Sequence, residues 1–148
     1  MTARTRSLAL VTLLGAMLVL AGCGANSKTL TGQPWLWGSF ATSAPGSESV
    51  VPSPERYTIQ FNDDGTFAAK VDCNQVAGTY TTGDDGAMTI VPGPSTMAAC
   101  PEDSLADAFL QGLSTTTSYV IADNQLDLTK ADEGTMTFDP QAEGSTPS

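Results

Sequence analysis

Three cysteines and sixteen acidic residues supply most of the reactive side chains in this 148-residue sequence. The chain has no histidine. It therefore lacks the commonest general base, the commonest metal ligand and the usual activator of a serine or cysteine nucleophile. Only catalysis by carboxylates or by lysine remains open to an enzyme of this composition. We predict no catalytic residues, no metal site and no cofactor.

The first cysteine, Cys23, ends a segment typical of bacterial secretory signals. Arg4 and Arg6 precede an apolar stretch at residues 7–20, and the run Leu-Ala-Gly lies directly before the cysteine. A charged start, an apolar stretch and a small-residue cleavage site define such a signal, and a cysteine after the cut marks its lipoprotein form. We predict that residues 1–22 are removed and that the Cys23 thiol carries a diacylglyceryl group. The alternative is an uncleaved membrane anchor with an incidental cysteine.

The charge of the chain restricts its partners. The formal net charge is −10, and a chain this acidic repels nucleic acid and anionic headgroups, so we predict no nucleic-acid partner. Membrane attachment must then come from the lipid on Cys23, because stable anchoring needs more than one acyl chain and a diacylglyceryl group supplies two. We expect the protein at the cell membrane, on the exported side of the cytoplasmic membrane, or at the outer membrane of a cell that has two membranes.

The other two cysteines, Cys73 and Cys100, form an even pair in a protein that we predict to be exported. Oxidising compartments favour a disulfide between such residues. The closed loop spans about 28 residues, for which the chain-entropy model gives a stabilisation of about 3–4 kcal/mol. The alternative is a free thiol pair with redox or metal-binding work, but the Cys-x-x-Cys spacing of such pairs is absent.

Two aspartate pairs, Asp63–Asp64 and Asp84–Asp85, lie beside glycine at predicted hairpin tips. Carboxylate oxygens are the ligands that Ca²⁺ prefers, but aspartate next to glycine is also typical of tight turns with positive φ. The Asp-x-Asp-x-Asp-Gly pattern with a distal glutamate is absent. The pattern therefore favours turns over a calcium site.

Two further groups of polar residues have a functional and a structural interpretation. Glu102, Asp103 and Asp107 could pair for acid–base chemistry, but they fall in the first turns of a predicted helix, where acids complement the helix dipole. A disulfide would bring Asn74 and Thr96 together, either as a small polar recognition site or as residues that bond the local backbone. We favour the structural interpretation for both groups.

Short alternating apolar runs separated by turn signals predict an all-β meander from Trp35 onward. The clearest hairpin extends from Tyr57 to Val71. A long exposed loop is expected over residues 41–55, and Pro92-Gly93-Pro94 is expected to stop a strand. A further short strand is expected to begin only at Gly78.

One segment has a helical period instead. Apolar residues at 105, 108, 109, 112 and 113 predict a single amphipathic helix of about three turns. Its start is expected at Pro101–Ser104, where a proline and acids suit the first turn. The apolar face of this helix needs the concave face of a curved sheet. The predicted fold class is mostly β (α+β): a small antiparallel curved sheet or partial barrel with one short covering helix.

The chain is long enough for one domain once the signal is removed. Residues 23–33 are polar and without periodicity, and we predict a flexible tether there. Residues 34–139 form the predicted domain. Residues 140–148 are small and polar and are predicted to be disordered.

Several short motifs recur in a recognisable order along this domain. They are Trp35, Phe61 with Gly65, Cys73-Asn74, Gly78 with Tyr80, Thr96 with Cys100-Pro101, Phe109 with Leu113, and Leu126 with Leu128. This order resembles the META domain, or HslJ-like, family over essentially the whole predicted domain. There are three departures: Asp72 replaces the usual glycine before the cysteine, Trp37 replaces a leucine, and the loop at residues 41–55 is longer than expected.

The resemblance implies a small, mostly antiparallel β fold covered by one helix, with no shared catalytic activity. Members of the family are linked to heat-shock, antibiotic-resistance and motility or secretion phenotypes. We predict a non-enzymatic lipoprotein of the cell envelope that acts through contact with an envelope protein that the sequence does not identify. The alternative is a small apolar-ligand binder or carrier with a half-barrel cavity between sheet and helix. An enzyme is the least favoured class.

Overall fold

The structure, a computed structural model, describes residues 29–141. The predicted signal, Cys23 and residues 142–148 lie outside this range. The described part of the chain forms nine strands and one α-helix: β1 (Pro34–Ala41), β2 (Ser49–Val50), β3 (Tyr57–Phe61), β4 (Thr66–Val71), β5 (Asn74–Thr82), β6 (Met88–Ser95), α1 (Ala106–Ser114), β7 (Thr116–Ala122), β8 (Gln125–Lys130) and β9 (Thr135–Pro140).

The strands form one antiparallel sheet that curls into a partial barrel. Their order is β6-β5-β4-β3-β1-β9-β8-β7, with β2 paired to β1. An isolated bridge between Ala87 and Ser118 brings the two edges of the sheet together at one point. The predicted fold class is therefore confirmed.

Large apolar side chains fill the inside of the partial barrel. Trp35, Ile59, Phe61, Leu126 and Phe138 have no exposed surface. Strand alternation explains the pattern, because every second residue of a strand points to the same face. Small barrels are usually filled in this way by their own side chains. No half-barrel cavity of the predicted kind is needed to account for this core.

Strand direction divides the barrel into two ends. One end, which we call the tether end, carries the first and last described residues and three short turns. These are Thr29–Gln33, Gln141, and the turns at Asn62–Gly65, Gly83–Ala87 and Asp123–Asn124. The opposite end, the far end, carries the connections at residues 42–48, 51–56, 72–73, 96–105 and 131–134, of which 96–105 is the longest.

Helix α1 lies across the far end. Just before its start, the Leu105 N–H donates to the Tyr57 hydroxyl at 2.7 Å, at the beginning of β3. Just after its end, the Thr115 carbonyl accepts a bond from the Ala131 N–H at 2.8 Å, beyond β8. The fully buried ring of Phe109 projects from the helix into the core. The helix therefore closes the far end of the barrel.

Strand β6 is longer than predicted. The sequence Pro92-Gly93-Pro94 was expected to end it, but β6 continues to Ser95 and pairs Pro92 with Gly78. Proline lacks the N–H that a central strand needs, but β6 is an edge strand with one side unpaired. The partner strand β5 likewise begins at Asn74 rather than at Gly78.

The predicted loop and helix start also differ from the structure. Residues 41–55 are not wholly exposed loop, because β2 pairs with β1 and Val51 is buried. The helix begins at Ala106, not at Pro101–Ser104. The reason is tertiary: the Tyr57 hydroxyl fixes the Leu105 N–H, and Asp103 lies beside Arg56 at 3.4 Å.

The ends of the described chain are attached to the domain. Leu30, within the predicted tether, packs on the core, and its carbonyl accepts a bond from Trp35 Nε1 at 2.9 Å. Pro140, within the predicted tail, is the last residue of β9, and the Gln141 N–H donates to the Pro34 carbonyl at 2.9 Å. The rest of both predicted segments lies outside the described residues.

Candidate functional site

The predicted disulfide is present at the far end and ties two connections together. Cys73 and Cys100 are bonded with an S–S distance of 1.98 Å and a Cα–Cα distance of 5.5 Å. Cys73 lies in the β4–β5 turn, and Cys100 lies in the connection that leads from β6 to the helix. The bond therefore holds together two connections that a local turn does not join.

The side chain of Asn74, next to Cys73, fixes the segment that leads to Cys100. Its Oδ1 accepts bonds from the Ala98 N–H at 2.7 Å and from Thr96 Oγ1 at 3.1 Å. Its Nδ2 donates to the Ala98 carbonyl at 3.1 Å. The Thr96 hydroxyl also accepts from the Gln75 N–H at 2.9 Å. Asn74 and Thr96 thus bond the local backbone, and the structure supports the structural interpretation of this pair.

One apolar side chain projects from this fixed segment. Met97 is 95% exposed, although the residues on both sides of it are held by Asn74. Val50, on β2 at the same end, is 78% exposed. Large apolar side chains are usually buried, although single exposed ones are normal on a protein surface.

A charge pair fastens the β4–β5 turn to the start of β3. Arg56 Nε and Nη2 donate to the two carboxylate oxygens of Asp72, both at 2.7 Å. The bonds from Arg56 hold the pKa of Asp72 below its ordinary value, against an opposing effect of burial. Asp72 has a φ of 58°, a conformation that the glycine expected from the family resemblance adopts freely. Aspartate at this position accepts the left-handed backbone and gains an ion pair.

A groove at the far end lies between the end of β1, the second half of α1 and the β8–β9 turn. Its volume is about 430 Å³. Trp37, Phe40, Ala108 and Met136 give it apolar walls. Gly112 allows the helix to approach β9 closely, because a Cβ there would overlap the Met136 sulfur.

Two of the residues that line the groove carry polar groups. Trp37 is 1% exposed, and its Nε1 has no hydrogen-bond partner in residues 29–141. Lys130 lies at the rim with its Nζ 3.3 Å from the carboxylate of Asp132. Asp132 is itself fixed by the Gly134 N–H at 3.1 Å, which lowers its pKa. Apolar walls with a few polar groups are typical of small-molecule sites.

The aspartate pairs lie at turns of the tether end. Asp64 Oδ1 accepts bonds from the Thr66 N–H at 2.9 Å and hydroxyl at 2.6 Å, which lower its pKa. Asp85 takes a positive φ of 58°. Residues 29–141 contain no group of three or more histidine, cysteine or carboxylate side chains placed to hold a metal ion. The geometry supports the turn interpretation.

The carboxylates near the helix start occupy different positions relative to α1. Glu102 and Asp103 precede the helix rather than lying in its first turn, and Asp107 lies in that turn. Asp103 is 3.4 Å from Arg56 Nη1 and 75% exposed. These residues form no paired acid–base site in the part of the chain that the structure describes.

A family comparison decides the identity of the domain. The family model described as the META domain matches residues 28–143. The chain belongs to the META domain family. A search of curated proteins finds no match, and in the described range no helix is long and apolar enough to span a membrane.

Solved structures share the fold of this META domain at low sequence identity. One is the crystal structure of a DUF4847 family protein from Bacteroides vulgatus, with a TM-score of 0.58 and 17% identity over 74% of this chain and 93% of that chain. Another is the NMR structure of a protein from Burkholderia xenovorans, with a TM-score of 0.59 and 22% identity over 76% of this chain and 84% of that chain. These likenesses show the fold alone.

The META domain therefore presents a far end that is fastened by long-range contacts and carries a groove. Sequence reasoning identified the two cysteines and the neighbouring Asn74 and Thr96. It missed the Arg56–Asp72 pair, the groove and the unpartnered Trp37 Nε1. The one available signal was the pair of departures from the family pattern, Asp72 and Trp37, which both take part in these features.

Proposed function

We propose that this META domain is a non-enzymatic lipoprotein domain, anchored to the cell envelope through a lipid on Cys23, that acts by contact. The observation that carries the proposal is the Leu-Ala-Gly-Cys run at residues 20–23 after an apolar segment. Its cysteine lies six positions before Thr29, where the described chain begins. The absence of histidine from the sequence supports a non-enzymatic role.

Metabolic labelling with an alkyne-bearing fatty acid tests the anchor. We expect label on the wild-type chain and none on Cys23→Ser, whether or not that variant keeps its signal in the bilayer. Ser27→Ala is the matched control and should be labelled like the wild type. Equal labelling of wild type and Cys23→Ser would contradict lipid attachment at this residue.

The groove favours a second candidate function, the binding of a small apolar ligand that carries a hydrogen-bond acceptor. Apolar walls suit a hydrocarbon segment, and a buried N–H without a partner costs free energy that a ligand oxygen would recover. Trp37 supplies that N–H, and Lys130 supplies a positive charge at the rim. The barrel interior is occupied by side chains, so this candidate relies on the groove.

Titration with dodecanoate, followed by tryptophan fluorescence, tests the groove. The protein is the mature chain with Cys23→Ser, exported behind a signal that has no lipidation site. Ala108→Phe would fill the groove from an exposed helix position, and Ala99→Phe is a matched control on an exposed loop. We expect saturable binding to the parent chain and to Ala99→Phe, and at least a tenfold loss in Ala108→Phe. Equal affinity in all three chains would exclude the groove.

A further inference from the structure

The disulfide between Cys73 and Cys100 lies at the surface of the far end. Cys73 is exposed, whereas Cys100 is half-buried. Access to a sulfur atom is one of the factors that set the rate at which a thiolate attacks a disulfide, and exposed disulfides are the labile ones. An incoming thiolate can therefore reach this bond, and Cys73 is the more accessible of its two residues.

The side-chain amide of Asn74 lies against both sulfur atoms. Its Nδ2 is 3.3 Å from Cys100 Sγ and 3.5 Å from Cys73 Sγ. The orientation of the amide is fixed, because its other atom, Oδ1, accepts a bond from the Ala98 N–H at 2.7 Å and an amide nitrogen could not do so. One hydrogen of Nδ2 bonds the Ala98 carbonyl. The second hydrogen is left for the disulfide, with the Cys100 sulfur as the closer acceptor.

A hydrogen-bond donor beside Cys100 Sγ makes this sulfur the better leaving group. Hydrogen bonding to the charged form of a group lowers its pKa, and a thiol with a lower pKa leaves faster in exchange. Nearby carboxylates act in the opposite direction, but Asp72 and Asp103 are both paired with Arg56. Glu102 is exposed, so water and salt screen its charge. Attack on the disulfide should therefore expel Cys100 as the thiolate.

Contacts other than the disulfide also hold the segment that carries Cys100. The amide of Asn74 binds the N–H and the carbonyl of Ala98, and its oxygen accepts a further bond from the Thr96 hydroxyl. None of these bonds involves a sulfur atom. Once the disulfide opens, they keep the Cys100 thiolate close to Cys73.

We propose that Cys73 is a site of reversible S-thiolation by a low-molecular-weight thiol. The incoming thiolate attacks Cys73 Sγ, the bond between Cys73 and Cys100 breaks, and its electron pair leaves on Cys100 Sγ. The products are a mixed disulfide on Cys73 and a thiolate on Cys100, so the exchange needs no further oxidant or reductant. In the reverse step the Cys100 thiolate attacks Cys73 Sγ and expels the small thiolate. Asn74 is a positioning residue, because it binds the leaving sulfur and holds its segment. The proposal does not depend on the lipid anchor proposed above.

Thiol exchange on the mature chain with Cys23→Ser, which has no other cysteine, tests the site. The oxidised, folded protein is mixed with 2-mercaptoethanol, and an excess of N-ethylmaleimide stops the exchange at successive times. Peptide mass spectrometry shows which cysteine carries mercaptoethanol and which carries maleimide. At the earliest times we expect mercaptoethanol on Cys73 about ten times as often as on Cys100, or more. In concentrated urea, where the fold is lost, the two should be labelled about equally.

Asn74→Asp tests the positioning residue. Aspartate keeps an oxygen for the Ala98 N–H but replaces the donor at the sulfur by a second oxygen. Thr96→Val is the matched control, because it removes a bond to the same side chain and leaves Nδ2 unchanged. Circular dichroism first shows that both variants are folded. We expect the preference for Cys73 to fall severalfold in Asn74→Asp and to persist in Thr96→Val. An unchanged preference in Asn74→Asp, or an equal loss in both variants, would overturn the role of Asn74.

Removal of the small thiol tests whether the site is reversible. After transfer of the mixed disulfide to thiol-free, oxygen-free buffer, we expect the Cys73–Cys100 bond to return with stoichiometric release of mercaptoethanol, because Cys100 stays nearby. A mixed disulfide that persists in this buffer would overturn the reverse step. Equal labelling of the two cysteines in the folded chain, or labelling mainly at Cys100, would overturn the proposal. So would resistance to 2-mercaptoethanol under conditions in which it opens oxidised glutathione.

Discussion

The two ends of the barrel are held by different means. At the tether end the turns are fixed in part by local bonds, such as those from Thr66 to Asp64, and in part by the bond from Tyr80 to the Asn62 carbonyl. At the far end, residues that are distant in sequence fasten the connections: the disulfide spans 27 positions, and the Tyr57–Leu105 bond spans 48. The far end therefore depends on a covalent bond and on hydrogen bonds between distant segments, whereas the tether end depends more on its own turns.

Opening the disulfide should produce the largest loss. We expect Cys73→Ala combined with Cys100→Ala to lower the free energy of unfolding by about 3–4 kcal/mol, because the unfolded chain regains the entropy of the closed loop. Urea unfolding followed by tryptophan fluorescence measures this. Reductant should lower the urea midpoint of the wild type toward that of the double variant, and it should leave the midpoint of the double variant unchanged. A double variant with the wild-type midpoint would show that the disulfide is dispensable.

The Arg56–Asp72 pair should make the stability of the far end depend on pH. Because the pKa of Asp72 is lowered in the folded chain, the stabilisation is complete above the ordinary aspartate pKa of about 3.9 and is lost as the pH falls through the lower folded value. Asp72→Asn should therefore be less stable than wild type at pH 7, and the gap should narrow at pH 3. If the two proteins differed in free energy of unfolding by the same amount at both pH values, the charge of Asp72 would contribute nothing to stability.

Removing one tyrosine hydroxyl at each end of the barrel allows the stability of the two ends to be compared. Tyr57→Phe removes the far-end acceptor of the Leu105 N–H and should cost about 1–3 kcal/mol, because it leaves a donor unsatisfied next to a buried side chain. Tyr80→Phe removes a bond to the Asn62 carbonyl at the exposed tether-end turn and should cost about 0.5–1 kcal/mol. Urea unfolding gives both values, and hydrogen exchange should show faster exchange at Leu105 only in Tyr57→Phe. The reverse order would contradict the comparison.

Backbone strain should be a small effect that does not distinguish the ends. Gly65 at the tether end has a φ of 82°, and Gly46 at the far end has a φ of 74°. Alanine at either position should cost about 1 kcal/mol, because a side chain disfavours positive φ. Thermal unfolding of Gly65→Ala and Gly46→Ala measures both. A cost several times larger at one position would show that contacts, and not local conformation, decide it.

The features that could be predicted from the sequence are those that depend on neighbours in the chain. The hairpin from Tyr57 to Val71 was predicted because alternating residues and an Asp-Gly turn lie within one short segment. The disulfide was predicted because only two cysteines remain after Cys23. The strand through Pro92 could not be predicted from its neighbours in the sequence. Proline is tolerated there because β6 lies at the edge of the sheet, and that position depends on the tertiary fold.

The candidate site depends on tertiary contacts, and most of it could not be predicted. The groove brings together β1, α1 and the β8–β9 turn, and no motif joins these segments. The sequence predicts a helix start at Pro101–Ser104, two to five residues too early, because the acids of residues 102 and 103 match a helix start, whereas Tyr57 fixes the chain at Leu105. Arg56 and Asp72 lie 16 residues apart, and only the register of β3 and β4 makes them neighbours.

The composition of strand β6 has a consequence for self-association. Its outer edge contains Pro92 and Pro94, which offer no N–H to an incoming strand, and Gly93 between them lies against the Ala77 carbonyl of β5. Unpaired edges otherwise recruit further chains and start aggregates. Copies crowded together on a surface therefore could not add a strand along Pro92 and Pro94 of β6, which closes this edge to self-association.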